Sequence, residues 1–279
     1  MSKHAKTLRI IETAQTILAA HHPMTVRQVY YQLVSGQVIE NNRSQYQAVS
    51  MALVHARQEG VIPWGWIEDR LRRPRHVSMW EGLADFANTV LRSYRRDVWP
   101  EQPVYLEVWL EKDALSGIFE DVLSPYGITL NVGRGYDGWD SIHKAAQRFQ
   151  GERDTIILYF GDFDPSGEDM VRSLRERLAF FGCKPEIRKC ALTMEEVTRY
   201  QLPPDFTKAT DSRQKAFVEQ YGDIAVELDA LPTEVLRTRL TTEIETRLNM
   251  RALRAVQQEE EADRIQLGEV LQQMADGTT

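Results

Sequence analysis

Two stretches decide the reading of this chain: Val104-Tyr105-Leu106-Glu107-Val108-Trp109-Leu110-Glu111 and, about fifty residues on, Thr155-Ile156-Ile157-Leu158-Tyr159-Phe160-Gly161-Asp162-Phe163-Asp164-Pro165-Ser166-Gly167. Each opens with a short run rich in aliphatic and aromatic residues and is followed by a helical pattern. That combination marks strands buried on both faces of a parallel sheet. Each run closes on acid, Glu111 in the first and Asp162 and Asp164 in the second. In open α/β sheets, ligands bind beyond the carboxyl ends of the strands. Three carboxylates gathered there repel one another unless a cation neutralises them, and hard oxygen donors suit Mg2+ or Mn2+. The pattern therefore predicts a divalent-metal site of Glu111, Asp162 and Asp164, suited to phosphate chemistry.

Outward from these runs the elements alternate. Strands are predicted at 104–110, 128–132, 154–160 and 185–190, with helices at 112–123, 139–149 and 167–181. Such alternation implies a parallel sheet flanked by helices. The break at Trp99-Pro100-Glu101-Gln102-Pro103 separates a first domain, 1–100, from the α/β domain, 101–248. The segment 249–279 carries Glu259-Glu260-Glu261 and little apolar content, and is expected to be a helical tail that frays or packs on a partner.

In the first domain, Leu8, Ile11, Ala14, Ile17 and Leu18 form a helical stripe that ends at His21-His22-Pro23. Thr25, with Gln28 three residues on, has the capping-box pattern for a second helix carrying Val26, Val29, Tyr30, Leu33 and Val34. A third helix is expected over 44–59. Residues 61–67, broken by Pro63 and Gly65, resemble a hairpin or wing. Three helices and a wing suggest a winged helix-turn-helix with the third helix as groove reader. The cluster Arg70, Arg72, Arg73 and Arg75 reads equally as a set of phosphate contacts or as a solvated connector, and a further helix is predicted at about 79–97.

Charge is divided unevenly over the 279 residues. The net charge is −7, yet residues 1–100 hold 13 Lys and Arg against 8 Asp and Glu, leaving the remainder strongly acidic. A basic module that docks on DNA, joined to an acidic module that binds metal, has this distribution. The two cysteines offer neither a disulfide framework nor a four-ligand metal set. No apolar run reaches membrane-span length, and the first residues lack a signal-peptide core. A cytoplasmic, nucleoid-associated protein with no membrane partner is expected.

Several of these residues carry a resemblance. Glu111 after the first strand, Gly133-Arg134-Gly135-Tyr136 after the second and Asp162-Phe163-Asp164 after the third resemble the Toprim domain. Glu111-Lys112-Asp113-Ala114, Asp164-Pro165-Ser166-Gly167 and Val226-Glu227-Leu228-Asp229-Ala230-Leu231 resemble the topoisomerase VI A subunit and its relative, the meiotic double-strand-break transesterase. In the first domain, Arg27-Gln28-Val29-Tyr30-Tyr31 is similar to that family's nucleophile motif. The resemblance implies a winged-helix (CAP-like) domain followed by a Toprim domain. It implies Tyr31 as nucleophile, Arg27 one helical turn before it and Glu111 as catalytic residues, and Mg2+ held by Glu111, Asp162 and Asp164. Lys112 could reach a phosphate. Double-stranded DNA as substrate, a homodimer with the tyrosine of one subunit meeting the metal of the other, and a separate ATPase subunit are implied as partners. Two alternatives stay open: a Toprim endonuclease using water, and a non-catalytic DNA-binding subunit. Tyrosines in amphipathic helices are mostly core residues, and one of Tyr30 and Tyr31 must face inward.

Overall fold

The computed structural model describes residues 3–68, 77–133, 138–151, 153–204 and 214–275. Arg70, Arg72, Arg73 and Arg75, and the turn residues Arg134, Gly135 and Tyr136, lie outside the described residues.

Three helices open the chain: α1, Lys3–His21; α2, Val26–Ser35; and α3, Arg43–Gln58. The start of α2 is fixed by a full capping box. Thr25 Oγ1 accepts from Gln28 N–H at 3.3 Å, and Gln28 Oε1 accepts from Thr25 N–H at 2.6 Å, satisfying two donors the helix itself cannot. Asn42 caps α3 by accepting from Gln45 N–H. Val29, Leu33, Val49, Leu53, Ala14 and Leu18 are fully buried between these helices. The expected hairpin over 61–67 does not form. The segment makes a 3-10 turn at Trp64–Trp66 and one parallel bridge, Ile67 to Met24. Pro63 has no N–H for a ladder, and Trp66 stacks on His22 at 4.8 Å instead.

Helix α4, Leu83–Ser93, precedes the sheet. Four parallel strands follow: β1, Tyr105–Leu110; β2, Thr129–Val132; β3, Thr155–Phe160; and β4, Glu186–Ala191, in the spatial order β2-β1-β3-β4. The crossovers carry α5, Ser116–Leu123; α6, Trp139–Arg148; and α7, Pro165–Phe180. After β4 come α8, Met194–Arg199; α9, Gln214–Tyr221; α10, Thr233–Glu245; and α11, Met250–Ala275.

Alternation along the strands sends side chains to two faces. Trp109, Ile157, Tyr159 and Ile187 pack under α6 and α7 against Ile142, Ala145, Met170 and Leu174. Leu106, Val108, Leu110, Leu158 and Phe160 face α5 and α10, in one continuous apolar cluster that reaches α1, α2 and α3. Phe119 meets Phe160 edge-on at 4.9 Å, both fully buried. Truncating either to Ala would cost about 3–5 kcal/mol. Because that cluster is shared, α2 is seated against the ends of the strands, which puts Arg27 and Tyr31 beside the sheet's carboxyl edge.

Candidate active site

β1 and β3 are neighbours, so Glu111 and Asp162 leave the sheet side by side. Glu111 N–H donates to Phe160 O at 2.9 Å, continuing the ladder one step past the strand. Glu111 Oε2 accepts from Asp162 N–H at 3.0 Å and Tyr159 Oη at 3.3 Å. Gly161 makes room for this carboxylate, since a Cβ there would stand 2.6 Å from Glu111 Oε2. Asp164 caps α7, with Oδ1 accepting from Gly167 N–H at 2.6 Å and Pro165 at the first helical position. A Cβ on Gly167 would collide with Asp162 O, so the turn accepts only glycine.

Phe163 and Val226 exchange backbone hydrogen bonds at 2.9 Å each way. This bridge sets Glu227 and Asp229 opposite the strand ends. Asp162 Oδ1 then accepts from Leu228 N–H at 2.8 Å, and Asp162 Oδ2 pairs with Lys112 Nζ at 2.8 Å. Lys112 Nζ also lies 3.4 Å from Glu227. Arg27 of α2 pairs with Glu227, and its Nε lies 2.8 Å from Asp229 Oδ2. Asp229 is enclosed and makes that contact as an ion pair. The guanidinium stands 5.7 Å from the centre of the Tyr31 ring. Lys189 Nζ closes the far side, donating to Asp162 O at 3.0 Å and Glu168 at 2.5 Å.

One chain of contacts therefore runs from Tyr31 through Arg27, Glu227, Lys112 and Asp162 to Glu111. It unites Tyr31, Arg27, Lys112, Asp162 and Glu111 of the sequence-predicted residues; Asp164 stands beside it as the cap of α7. The sequence reading missed Glu227, Asp229 and Lys189. The signal for the first two was two acids inside the apolar run Ala225–Leu231.

Electrostatics mark the same place. Burial, then repulsion from Asp162, raises the Glu111 pKa against the opposing pull of the Asp162 N–H and Lys112. Burial raises Asp164 too, against the Gly167 N–H, with Asp162 adding to the rise. Burial raises Asp229, opposed by Arg27 and Lys112. For Arg27, burial works against the charge, but Asp229, Tyr31 and Asp162 outweigh it, and its pKa rises. Among the described residues, six carboxylates (Glu111, Asp162, Asp164, Glu168, Glu227 and Asp229) here face three cations, Arg27, Lys112 and Lys189.

As it stands the centre is not a closed ligand cage: among the described residues, no three His, Cys, Asp or Glu side chains converge as a metal-holding group. Its chemistry nevertheless fits a hard divalent cation. Among the described residues, Glu111 Oε1 and Asp164 Oδ2 have no hydrogen-bond partner and the local charge is in negative excess. Asp162 is committed to the Lys112 ammonium and would join a metal only with that ammonium displaced.

On the outer side of Arg27 lies a cavity of about 220 Å³ lined by Arg27, Tyr30, Tyr31, Asn41, Asn42, Arg43 and Tyr46. Tyr31 is 4% exposed and borders this cavity. Tyr30 is as buried as Tyr31 and lines the same cavity, its hydroxyl donating to Asn41 Oδ1 at 2.8 Å. Arg43 faces the cavity with no ion-pair partner among the described residues. Among the described residues no helix is long and apolar enough to cross a membrane. No protein-family model matches the sequence, and no curated protein matches it either.

Proposed function

We propose that the chain cleaves duplex DNA in a metal-dependent transesterification like that of the topoisomerase VI A subunit, with a winged-helix-like first module and a Toprim-like sheet module. The observation that carries this reading is the unbroken contact path from Tyr31 through Arg27 to the carboxylates. Plain core packing has no need of an arginine one turn before a tyrosine, tied by charge to a second module.

In this reading Glu111 and Asp164, with Asp162 once freed from Lys112, hold Mg2+ or Mn2+. The ion, when bound, would offset phosphate charge and stabilise the departing oxygen. A phosphodiester enters beside Arg27 and Arg43. Tyr31 Oη bonds to phosphorus as the bond to the 3′ oxygen breaks. The phenolic proton is lost to solvent and the departing 3′ oxygen takes one up, leaving a 5′-phosphotyrosyl bond. A free phenol has a pKa near 10, so the Arg27 guanidinium beside the ring supports the phenolate and the charge gathering on phosphate. Lys112, released from Asp162, becomes a second phosphate contact. Arg70, Arg72, Arg73 and Arg75 supply the flanking backbone contacts, and a separate ATPase subunit would supply any strand passage. Paired cuts call for two copies, with the tyrosine of one subunit meeting the metal of the other as the resemblance implies.

The test is a supercoiled-plasmid assay with Mg2+, stopped with detergent and split between samples with and without protease. The transesterase reading expects cleaved DNA that stays protein-linked until protease is added, and loss of both signals in Tyr31→Phe. Cleavage by Tyr31→Phe at the wild-type rate would reject the tyrosine and leave water as the nucleophile.

A further inference from the structure

Helix α3 opens at Arg43, and Tyr46 follows three residues later, which sets both on one face of its first turn. There they line the cavity together with Arg27, Tyr30 and Tyr31 of α2. Tyr30 is the fixed centre of the group: its hydroxyl donates to Asn41 Oδ1 at 2.8 Å and approaches Asn42 O at 3.2 Å. The Tyr31 and Tyr46 rings each lie 5.2 Å from the Tyr30 ring, at 69° and 82° to it, so neither pair stacks in parallel. Tyr46 is 37% exposed, against 3% for Tyr30 and 4% for Tyr31, and is the ring a ligand meets first. A packing void in a core is apolar and dry, whereas two arginines and two asparagines line this one. Arg27 already shares its charge with Glu227 and Asp229, while Arg43 has no ion-pair partner among the described residues. The asparagine carboxamides are committed. Asn41 accepts from Tyr30 and donates to Pro204 O at 2.7 Å; Asn42 accepts from Gln45 N–H and Ser44 Oγ and donates to Glu40.

We infer that this cavity is a subsite for one unstacked nucleotide of the DNA, its base laid against Tyr46 and Arg43 and its phosphate turned towards Arg27. The inference rests on the cleavage reading for its substrate, and adds that one base leaves the stack beside the bond that Tyr31 attacks. At about 220 Å³ the space equals about seven waters. It lies below the roughly 300–1,000 Å³ of sites for drug-sized ligands, which suits a single ring system and not a base pair. Aromatic rings and guanidinium planes are what unstacked bases bind. An apolar peptide has no use for two guanidiniums, and a lone inorganic anion has none for three aromatic rings. With the carboxamides spent, little is left to read the edge of a base, so the subsite senses that a ring is present rather than which ring it is. Taking a base out of a duplex is least costly where it has no pairing partner. Duplexes with an unpaired base are therefore the ones bound first.

The full-length chain is to be titrated by fluorescence anisotropy into a labelled duplex bearing one unpaired adenine, with Mg2+ withheld so that no strand is cut. The fully paired duplex and a duplex whose bulged residue is abasic run beside it. The expected result is binding of the adenine bulge about tenfold tighter than either of the other two. Tyr46→Ala and Arg43→Ala change exposed positions, and far-UV circular dichroism checks their fold. Each should cut the ratio to about threefold or less, whereas Tyr46→Phe, which keeps the ring, should preserve it. Equal affinity for the three duplexes, or binding to none, overturns the inference. So does an abasic bulge bound as tightly as the adenine bulge, since the chain would then be reading the bend and not the base. A ratio that survives in both alanine variants overturns it as well. The plasmid assay keeps the two readings apart. Protein-linked cleavage with equal affinities rejects the subsite alone, and a Tyr46-dependent preference without protein-linked cleavage keeps the subsite and rejects the tyrosine mechanism.

Discussion

Glu107 and Glu111 sit four residues apart on and just beyond one strand, and their surroundings are opposite. Glu107 is 0% exposed and receives five hydrogen bonds, from Tyr105 Oη, Trp109 Nε1, Asn131 Nδ2 and both Nε and a terminal nitrogen of Arg148. Each of its oxygens is held, and the charge is matched by Arg148. Glu111 receives two, both on Oε2, and its neighbours include two further carboxylates. A buried charge that is fully paired pins structure, whereas a partly satisfied one beside like charges is costly unless something else binds there. Burial alone thus does not separate the structural acid from the functional one; the count of donors does.

The largest expected effect breaks this comparison on the functional side. Glu111→Ala should lower DNA cleavage by about a thousandfold or more, roughly 4 kcal/mol of barrier, while leaving metal-free stability unchanged or higher because a repelling charge is gone. A plasmid assay beside a urea titration reads both. Normal cleavage by Glu111→Ala would remove it from the site.

The mirror experiment is Glu107→Ala. It strands the Arg148 guanidinium, Asn131 and the Trp109 indole, so the loss should be about 3–5 kcal/mol in unfolding free energy. Glu107→Gln, which keeps an acceptor, should cost less. Equal urea midpoints for wild type and Glu107→Ala would show that the network contributes nothing.

Mg2+ addition sharpens the contrast by a smaller amount. At a hundredfold excess over its dissociation constant, a native-state ligand adds about 2.7 kcal/mol, which for a chain of this size is a rise in melting temperature of several degrees. Asp164→Ala should abolish that rise, and Glu107→Gln should keep it. A rise of equal size in Asp164→Ala would place the ion elsewhere.

The alternating apolar runs made the sheet legible, and its four parallel strands fall within a residue or two of the expected bounds. The capping box of α2 was equally plain, because Thr25 and Gln28 act locally. What was hidden is long-range. Nothing in the run Val226–Leu231 says that it bridges to Phe163 and brings Glu227 and Asp229 to Arg27, since that depends on packing more than sixty residues away in sequence. The hairpin expected around Pro63 failed for the opposite reason: proline and glycine mark a turn without saying whether strands flank it. Lys112 was read as a DNA contact, yet in the folded chain it is first a counter-ion to Asp162.

The smallest effect expected is in the pH dependence of the metal-free protein. Glu111, Asp164 and Asp229 all have raised pKa values, chiefly through burial. A carboxyl whose folded pKa lies above its unfolded one holds its proton more tightly when folded. Its contribution to stability is therefore complete below the ordinary carboxylate value of about 4 and is lost as pH rises through the raised folded value. Carboxylates held down by cations elsewhere in the protein act the other way, so the effect must be read as a difference. Stability of wild type minus that of Asp164→Asn, measured by urea unfolding without metal, should fall as pH is raised from about 4 towards neutrality. With saturating Mg2+ the slope should reverse, because the ion binds the deprotonated form and competes with the proton. A difference that is flat with pH in both conditions would mean that Asp164 titrates alike in the folded and unfolded chain, and the contrast with a fully paired acid such as Glu107 would lose its electrostatic basis.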